Sequence, residues 1–251
     1  MNRRVAYIIM LGALLLSSLP TFAEKRDRER VHKEKEQVIL LHGYGRSARA
    51  MKAMEQRFVE RGYDVHVIEY SSIMRSMDEI QREVTREIDE VIREHPQRTH
   101  FVGHSLGGLL ARAYLKDRKL DRLGRVVTLG SPNRGTPAVN QLSRKWWFWM
   151  VGSAARSLSS SGSDFLSKLP EPHYPLGVIA GRARYPFVRG TSFAGPHDGL
   201  VSLESTKVEG MRDFCVIPVN HTALRYKQSV FMQVLYFLKR GHFDCPSESD
   251  D

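Results

Sequence analysis

The sequence predicts a single α/β domain in which a mostly parallel sheet of about six strands is flanked by helices. Short apolar runs, typical of buried strands, alternate along the chain with longer segments of helical periodicity, and this alternation favours a parallel sheet. The chain has 251 residues, of which 41% are hydrophobic, which is enough for one sizeable core but short for two full domains. No internal repeat interrupts this order.

The segment before the predicted domain has two parts. Residues 1–23 combine a basic start, an apolar stretch and a small-residue end at Ala23, which is the pattern of a secretory signal peptide. An uncleaved membrane anchor is the alternative, although the apolar stretch is short for a bilayer span. Residues 24–36 are almost all charged, with both signs represented, so we expect a solvated tail. The sequence thus predicts an exported protein, periplasmic or extracellular.

The charge of the chain is strongly basic. The formal net charge is +10, and it becomes +8 if residues 1–23 are removed, because that segment holds two arginines and no acids. A basic chain can bind nucleic acid, but the sequence has no zinc-ligand spacing, RNA-binding signature or basic recognition helix, and export argues against this partner. We therefore expect no nucleic-acid partner; attraction to anionic envelope surfaces or simple solubility accounts for the charge.

The predicted strands and helices follow one another from Gln37 onward. Each expected strand is a short apolar run, and the runs lie at 37–43, 63–70, 99–104, 125–130, 176–181 and 214–219. Each expected helix repeats apolar residues every three or four positions, at about 51–62, 77–95, from 106 onward and at about 228–239. We expect the domain to cover 37–243 and a C-terminal tail to cover 244–251.

One interval between predicted strands is too long for an ordinary connection. More than forty residues separate Gly130 from Leu176, and connections of this length commonly carry a function, so we predict a cap or lid insertion at about 137–175. Either its aromatic rings are buried in a cap over the sheet, or they line an acyl pocket or contact a lipid surface. The insertion holds all three tryptophans of the chain, Trp146, Trp147 and Trp149.

The stretch from Thr99 to Tyr114 places a serine at a strand-to-helix turn. Gly103, Ser105 and Gly107 form a G-x-S-x-G pattern there. A nucleophile on so sharp a turn has a strained backbone, and its neighbours two residues away must lack a Cβ so that strand and helix can pass closely. The hydroxyl is then exposed at the end of the sheet, above a helix N-terminus that can face developing negative charge. Ser105 is the candidate nucleophile.

A serine hydroxyl needs a base to take its proton and a carboxylate to orient that base. In this topology we expect them in the order Ser, then Asp or Glu, then His, each at the C-terminal end of a strand. His221 follows the last predicted strand and is the candidate base. Asp198 lies in the loop after the strand at 176–181, between glycines that suit a tight turn. Glu204 and Asp213 are the alternatives for the carboxylate.

Two backbone N–H groups are expected to complete the site as an oxyanion hole. One is that of Leu106, directly after Ser105. The other is that of Tyr44, in the HGYG loop at 42–45 after the first strand, because its two glycines let the backbone bend toward a substrate oxygen. A plain glycine turn is the alternative interpretation of this loop.

Five sequence blocks resemble the α/β-hydrolase superfamily, and most closely its bacterial secreted lipases and esterases, such as triacylglycerol lipases. They are LLHGYG at 40–45, GHSLGG at 103–108, LGSPNRGTP at 129–137, HDGLVS at 197–202 and NHTAL at 220–224. The resemblance implies Ser105 as the nucleophile, His221 as the base and Asp198 as the orienting acid. The amides of Tyr44 and Leu106 would form the oxyanion hole. Neither a cofactor nor a metal is implied. The charged tail and the tryptophan-rich insertion depart from the family pattern.

The resemblance implies a serine carboxylic-ester hydrolase that cleaves acyl-ester or lipid substrates through an acyl-serine intermediate. The insertion would then make peripheral contact with a membrane or lipid surface. Two alternatives stay open at this point. The same side chains could serve thioester hydrolysis or acyl transfer. A non-catalytic envelope protein could instead keep the fold and use its basic, tryptophan-rich cap to bind lipid or a partner protein.

Cys215 and Cys245 are the only cysteines in the sequence. In an oxidising compartment they could pair, which would tie the C-terminal tail to a late strand. A buried free thiol at Cys215 is the alternative.

Overall fold

Six parallel strands form one sheet in the computed structural model, which describes residues 35–143, 153–160, 163–183 and 191–245. The strand order across the sheet is β2-β1-β3-β4-β5-β6, and every neighbouring pair is parallel. The strands are β1 (Gln37–Leu41), β2 (Asp64–Ile68), β3 (Thr99–His104), β4 (Leu123–Leu129), β5 (Leu176–Gly181) and β6 (Asp213–Ile217). The predicted α/β class with a parallel six-stranded sheet is therefore confirmed.

Helices connect the strands. In chain order they are α1 (Lys52–Glu60), α2 (Met77–Glu94), α3 (Leu106–Leu115), α4 (Pro137–Ser143), α5 (Ser153–Arg156), α6 (Asp164–Ser167), α7 (Leu203–Thr206) and α8 (Gln228–Arg240). Short 3₁₀ helices precede α1 at Ala48–Met51 and α8 at Ala223–Arg225. The described part of the predicted insertion thus contains the three short helices α4, α5 and α6.

Two apolar layers cover the two faces of the sheet. Successive side chains of β1 alternate between them, as the strand period requires. Ile39 and Leu41 pack in the layer that contains α2 and α3, whereas Val38 and Leu40 pack in the layer that contains α1 and α8. Because the central strands are covered on both sides, loops at their C-terminal ends extend from a rigid support.

The long helix α2 shows why predicted and observed bounds agree where local signals are strong. Ser76 is its N-cap: the Ser76 hydroxyl accepts from the Glu79 N–H at 3.3 Å, and the Glu79 carboxylate accepts from the Ser76 N–H at 2.8 Å. This reciprocal capping box fixes the first turn.

At β6 the prediction of 214–219 is less accurate, because the Val219 N–H turns back to the Ile217 carbonyl at 2.7 Å and the strand ends there.

Several sequence predictions fall outside the described residues. These are the signal peptide, nearly all of the charged tail, most of the C-terminal tail and the three tryptophans of the insertion, Trp146, Trp147 and Trp149. They stay predictions. Within the described ranges, no helix combines the length and the apolarity that crossing a bilayer requires.

The two cysteines form a disulfide in the structure. Cys215 lies on β6 and is buried, while Cys245 follows α8, and their Cα atoms are 5.8 Å apart. The segment after α8 is thereby tied to the edge strand β6. Of the two alternatives left open by the sequence, the structure adopts the disulfide.

We expect Cys245→Ser to lower the free energy of unfolding. The bridge closes a loop with a sequence separation of 30 residues. In the chain-entropy account, a loop of this size stabilises the fold by roughly 3–4 kcal/mol. Urea unfolding of the oxidised wild type and the variant measures the difference. Reductant should destabilise the wild type by a similar amount and leave the variant unchanged; a wild type insensitive to reductant would contradict the pairing.

Candidate active site

Ser105 occupies a strained turn between β3 and α3. Its φ is +56° and its ψ is −121°, a region that non-glycine residues rarely adopt. A Cβ on Gly103 would collide with the backbone of Gly108, and a Cβ on Gly107 would collide with the carbonyl of Leu41. The glycines two positions either side of Ser105 are thus required by close backbone packing, which is the reason given for them from the sequence.

The structure brings three of the predicted site residues into one hydrogen-bonded chain. The Ser105 Oγ lies 3.0 Å from His221 Nε2, and His221 Nδ1 lies 2.6 Å from Asp198 Oδ2. The three residues are 7%, 8% and 1% exposed, so water screens these contacts little. With Nδ1–H donating to the carboxylate, His221 Nε2 is left to accept the serine proton. The arrangement can therefore transfer a proton from a hydroxyl to an imidazole.

The Asp198 carboxylate is held by the backbone of its own loop. Its Oδ1 accepts hydrogen bonds from the N–H groups of Leu200 at 2.9 Å and Val201 at 2.7 Å, which leaves Oδ2 directed at His221. The Asp198 carbonyl also accepts from the His221 N–H at 2.8 Å. Backbone and side chain together fix the mutual position of the two residues.

The two alternative carboxylates lie elsewhere. Glu204 is on α7, its side chain is 62% exposed, and it pairs with Arg134 and Lys207. Asp213 is at the start of β6, the end of the sheet opposite to Ser105, where its carboxylate accepts from the N–H groups of Phe214 and Phe243. Neither side chain has a hydrogen bond to His221.

His104 is a buried histidine whose position the sequence did not reveal. Its Nε2 donates to the His221 carbonyl oxygen at 2.9 Å, and the two imidazole rings are 4.8 Å apart. Burial, reinforced by the neighbouring His221, lowers the pKa of His104 well below its usual value. His104 is therefore neutral, and its hydrogen bond to the His221 carbonyl positions the His221 loop without adding a charge. Its place directly before Ser105 was the only signal available from the sequence.

Gly130, directly after β4, leaves room for the side chains of Asp198 and His221. A Cβ there would lie 2.9 Å from Asp198 Oδ2 and 3.1 Å from His221 Nδ1. The residue also has a φ of +57°, which favours glycine. The glycine of the LGS segment at 129–131 is thus explained by the side chains packed against it, a role that the sequence analysis did not assign.

We expect the stability of the fold to fall at acidic pH through His104. The unfolded chain takes up a proton at this imidazole near its ordinary pKa of about 6.5, whereas the folded chain takes it up only at a much lower pH. Stability is therefore complete above about pH 6.5 and decreases as the pH drops below it. Urea midpoints at pH 8 and pH 5.5 measure this loss.

The matched variant for this effect is His104→Gln, whose amide can still donate a hydrogen bond. It should be less stable than the wild type at pH 8 but lose less stability between pH 8 and pH 5.5. Part of the pH dependence should persist because burial also lowers the pKa of His42. Identical losses in the two proteins would contradict this account of His104.

The HGYG loop lies directly against the serine. A Cβ on Gly43 would be 3.2 Å from the Ser105 Cβ, so no side chain separates this loop from the hydroxyl. The loop is held by Tyr70, which stacks on His42 at 3.9 Å and donates to the His42 carbonyl. Leu106 is the first residue of α3, and such N–H groups have no acceptor within their helix. The two segments predicted to supply the oxyanion-hole amides, around Tyr44 and Leu106, thus flank Ser105.

The fold is shared with lipases and esterases of known structure. Lipase BlEst2 of Bacillus licheniformis, in its mature form, aligns with a TM-score of 0.67 and 15% identity over 83% of this chain and 93% of that chain. The esterase EaEST of Exiguobacterium antarcticum aligns with a TM-score of 0.59 and 14% identity over 82% of this chain and 92% of that chain. At these identities the likeness establishes the common α/β-hydrolase fold.

Sequence comparison identifies the family. A pimeloyl-[acyl-carrier protein] methyl ester esterase of Photorhabdus laumondii subsp. laumondii is 29% identical over 94 residues, which cover 38% of this chain and 35% of the relative. The match thus spans about a third of that curated relative's length. The sequence profile of the palmitoyl protein thioesterase family matches residues 37–168, just over half of the chain. The chain therefore belongs to the palmitoyl protein thioesterase family and has the α/β-hydrolase fold.

Proposed function

We propose that this protein hydrolyses carboxylic acyl esters with Ser105 as the nucleophile, His221 as the general base and Asp198 as the residue that orients His221. The single observation that carries the proposal is the buried hydrogen-bonded chain from the Ser105 Oγ through the His221 imidazole to the Asp198 carboxylate. A hydroxyl, an imidazole and a carboxylate in this order are the groups that acyl transfer through a serine requires.

The reaction proceeds in two halves. The Ser105 Oγ attacks the ester carbonyl carbon while His221 Nε2 takes the hydroxyl proton, and the C–O bond to the alcohol breaks as Nε2 returns that proton to the leaving oxygen. Water then attacks the acyl-serine: Nε2 takes a proton from the water and returns it to the Ser105 Oγ, which releases the acid. Asp198 stabilises the imidazolium that forms in each half. The reaction needs no cofactor.

The backbone N–H groups of Tyr44 and Leu106 are proposed to bind the oxyanion of each tetrahedral intermediate. Support comes from the position of Gly43 against Ser105 and from the place of Leu106 at the start of α3. The positive end of the α3 dipole adds to this effect. Donors of this kind contribute about 2.7–4 kcal/mol each to transition-state stabilisation in serine hydrolases.

Thioester hydrolysis is the second candidate, favoured by the family name of the profile that matches residues 37–168. The same Ser105 attack would then release a thiol in place of an alcohol, with a palmitoylated protein as the model substrate. An acyl-serine intermediate can also pass its acyl group to an alcohol instead of water, so acyl transfer belongs to the same test.

The substrate is tested with p-nitrophenyl esters of short, medium and palmitoyl chain length and with the matching S-acyl thioesters, each with and without detergent. We expect turnover of the oxygen esters, with long chains preferred. A clear preference for the thioesters would favour the second candidate, and ester products formed with added alcohol would indicate acyl transfer. A sharp preference for short, soluble esters would count against a lipid-facing lid that contains Trp146, Trp147 and Trp149.

The signal-peptide pattern of residues 1–23 supports the proposal that the protein is exported to the periplasm or the medium. The basic charge and the tryptophan-rich insertion support the proposal of peripheral contact with a membrane or lipid surface. N-terminal sequencing of the protein recovered from the periplasm or the medium tests the proposal of export. We expect the mature chain to begin at Glu24. A cytoplasmic protein that retains residues 1–23 would contradict it.

A further inference from the structure

A second cluster of ionisable side chains lies at the end of the sheet opposite to Ser105. Asp64 and His66 are two residues apart at the start of the edge strand β2, so their side chains extend from the same face. That face is the one covered by α2, because Ile68 packs in the same apolar layer as this helix. His95 follows directly after the last residue of α2. The packing of helix on strand therefore brings the three side chains together.

The donor atoms of the three side chains lie close enough together to bind one metal ion. Asp64 Oδ2 lies 3.5 Å from His66 Nε2 and 3.6 Å from His95 Nδ1. The three donor atoms all lie within 4.8 Å of one another. Tetrahedral zinc, with bonds of about 2.0–2.2 Å to nitrogen and oxygen, separates its ligand atoms by about 3.4 Å. Two of the three separations are already close to this value.

His66 provides a further observation that points to a ligand. Its Nε2 is buried, although the side chain as a whole is 19% exposed, and apart from the 3.5 Å contact with the Asp64 carboxylate it has no hydrogen-bond partner among the described residues. Buried polar atoms in proteins normally have a partner, so an unpaired one requires an explanation.

We propose that Asp64, His66 and His95 bind a divalent transition-metal ion, and that Zn²⁺ fits the site best. Two imidazoles and one carboxylate are ligands that zinc prefers, whereas Ca²⁺ and Mg²⁺ require mainly oxygen ligands. Water would fill the fourth position of the tetrahedron. The nearby C-terminal end of α2 also favours a cation.

The expected role of this ion is structural. It would join the first residues of β2, which pairs only with β1 in the described sheet, to the C-terminal end of α2. The ion would lie far from Ser105. Asp64 is at the N-terminal end of the parallel strands, whereas Ser105 follows the C-terminal end of β3. The proposal is thus independent of the ester-hydrolase proposal.

The test is calorimetric titration of the full chain with ZnCl₂, after chelator treatment and without a histidine tag. We expect one tight equivalent of Zn²⁺ per chain and a rise in the unfolding temperature. Asp64→Asn and His66→Ala should each weaken the affinity by at least about tenfold and remove the temperature shift. Co²⁺ in place of Zn²⁺ should give the visible absorption bands of a tetrahedral site in the wild type only.

Two control variants separate this site from other histidines. His221→Ala should keep the tight equivalent, which distinguishes the site from zinc bound beside Ser105. His173→Ala removes an exposed histidine whose Nε2 bonds to the Arg118 carbonyl, and it should also keep full binding. The proposal is overturned if the wild type lacks the tight equivalent, if Asp64→Asn with a native circular dichroism spectrum binds as tightly as the wild type, or if His221→Ala removes the binding.

Discussion

Replacement of Ser105 by alanine is expected to lower kcat for acyl esters by on the order of 10⁴- to 10⁶-fold, since loss of a serine nucleophile has effects of this size in other serine hydrolases. The reason is that His221 then has no hydroxyl from which to take a proton, and no acyl-enzyme can form. KM should change little, because the acyl-binding surface is untouched. Steady-state kinetics on the best ester of the panel measures both constants.

The fold of the Ser105→Ala protein should be unchanged. The serine side chain is small and contributes one hydrogen bond to His221, so we expect the unfolding temperature to stay near that of the wild type. Ser167→Ala, at an exposed serine of α6, is the matched control and should keep full activity. Near-normal kcat in the Ser105→Ala protein would refute the assignment of the nucleophile.

Replacement of Asp198 by asparagine should have the second-largest effect, a loss of about 10⁴-fold in kcat. The new amide would keep the shape of the side chain, but it could present an N–H to His221 Nδ1 and so favour the wrong tautomer, with the proton on Nε2. His221 could then no longer accept the Ser105 proton. The 2.6 Å contact between Asp198 Oδ2 and His221 Nδ1 is the interaction that the substitution changes. Steady-state kinetics on the same ester measures the loss.

The matched control for Asp198→Asn is Glu204→Gln, at the carboxylate that the sequence left as an alternative. Glu204 is exposed and pairs with Arg134 and Lys207, and surface pairs of this kind contribute little to stability. The Glu204→Gln protein should therefore keep its activity. If Glu204→Gln lost activity and Asp198→Asn kept it, the orienting acid would have been assigned to the wrong residue.

The parts of the fold that the sequence predicted are those with a local cause. Each strand of the sheet is a short apolar run because both faces are covered, and α2 is bounded by the capping box of Ser76 and Glu79. Ser105 is recognisable because its sharp strand-to-helix turn requires glycines at 103 and 107. His221 and Asp198 could be located because parallel strands bring their C-terminal ends to one edge of the sheet.

The parts that the sequence did not predict depend on contacts between distant segments. The hydrogen bond from His104 to the His221 carbonyl spans 117 positions, and neither local sequence contains a signal for it. Gly130 is needed because of side chains that approach it from two later loops. The Asp64, His66 and His95 cluster forms only because α2 packs on the face of β2 that carries the first two residues. Such features follow from the packing of elements, not from their individual patterns.

The central claim is that Ser105 is the nucleophile, activated by His221. Its most direct measurement is covalent labelling of the native protein with a fluorophosphonate, followed by mass spectrometry of the labelled peptide. We predict one label per chain, on Ser105, with labelling lost in Ser105→Ala and strongly slowed in His221→Ala. A wild-type protein that hydrolyses esters but carries the label on another residue, or that stays unlabelled, would contradict the claim.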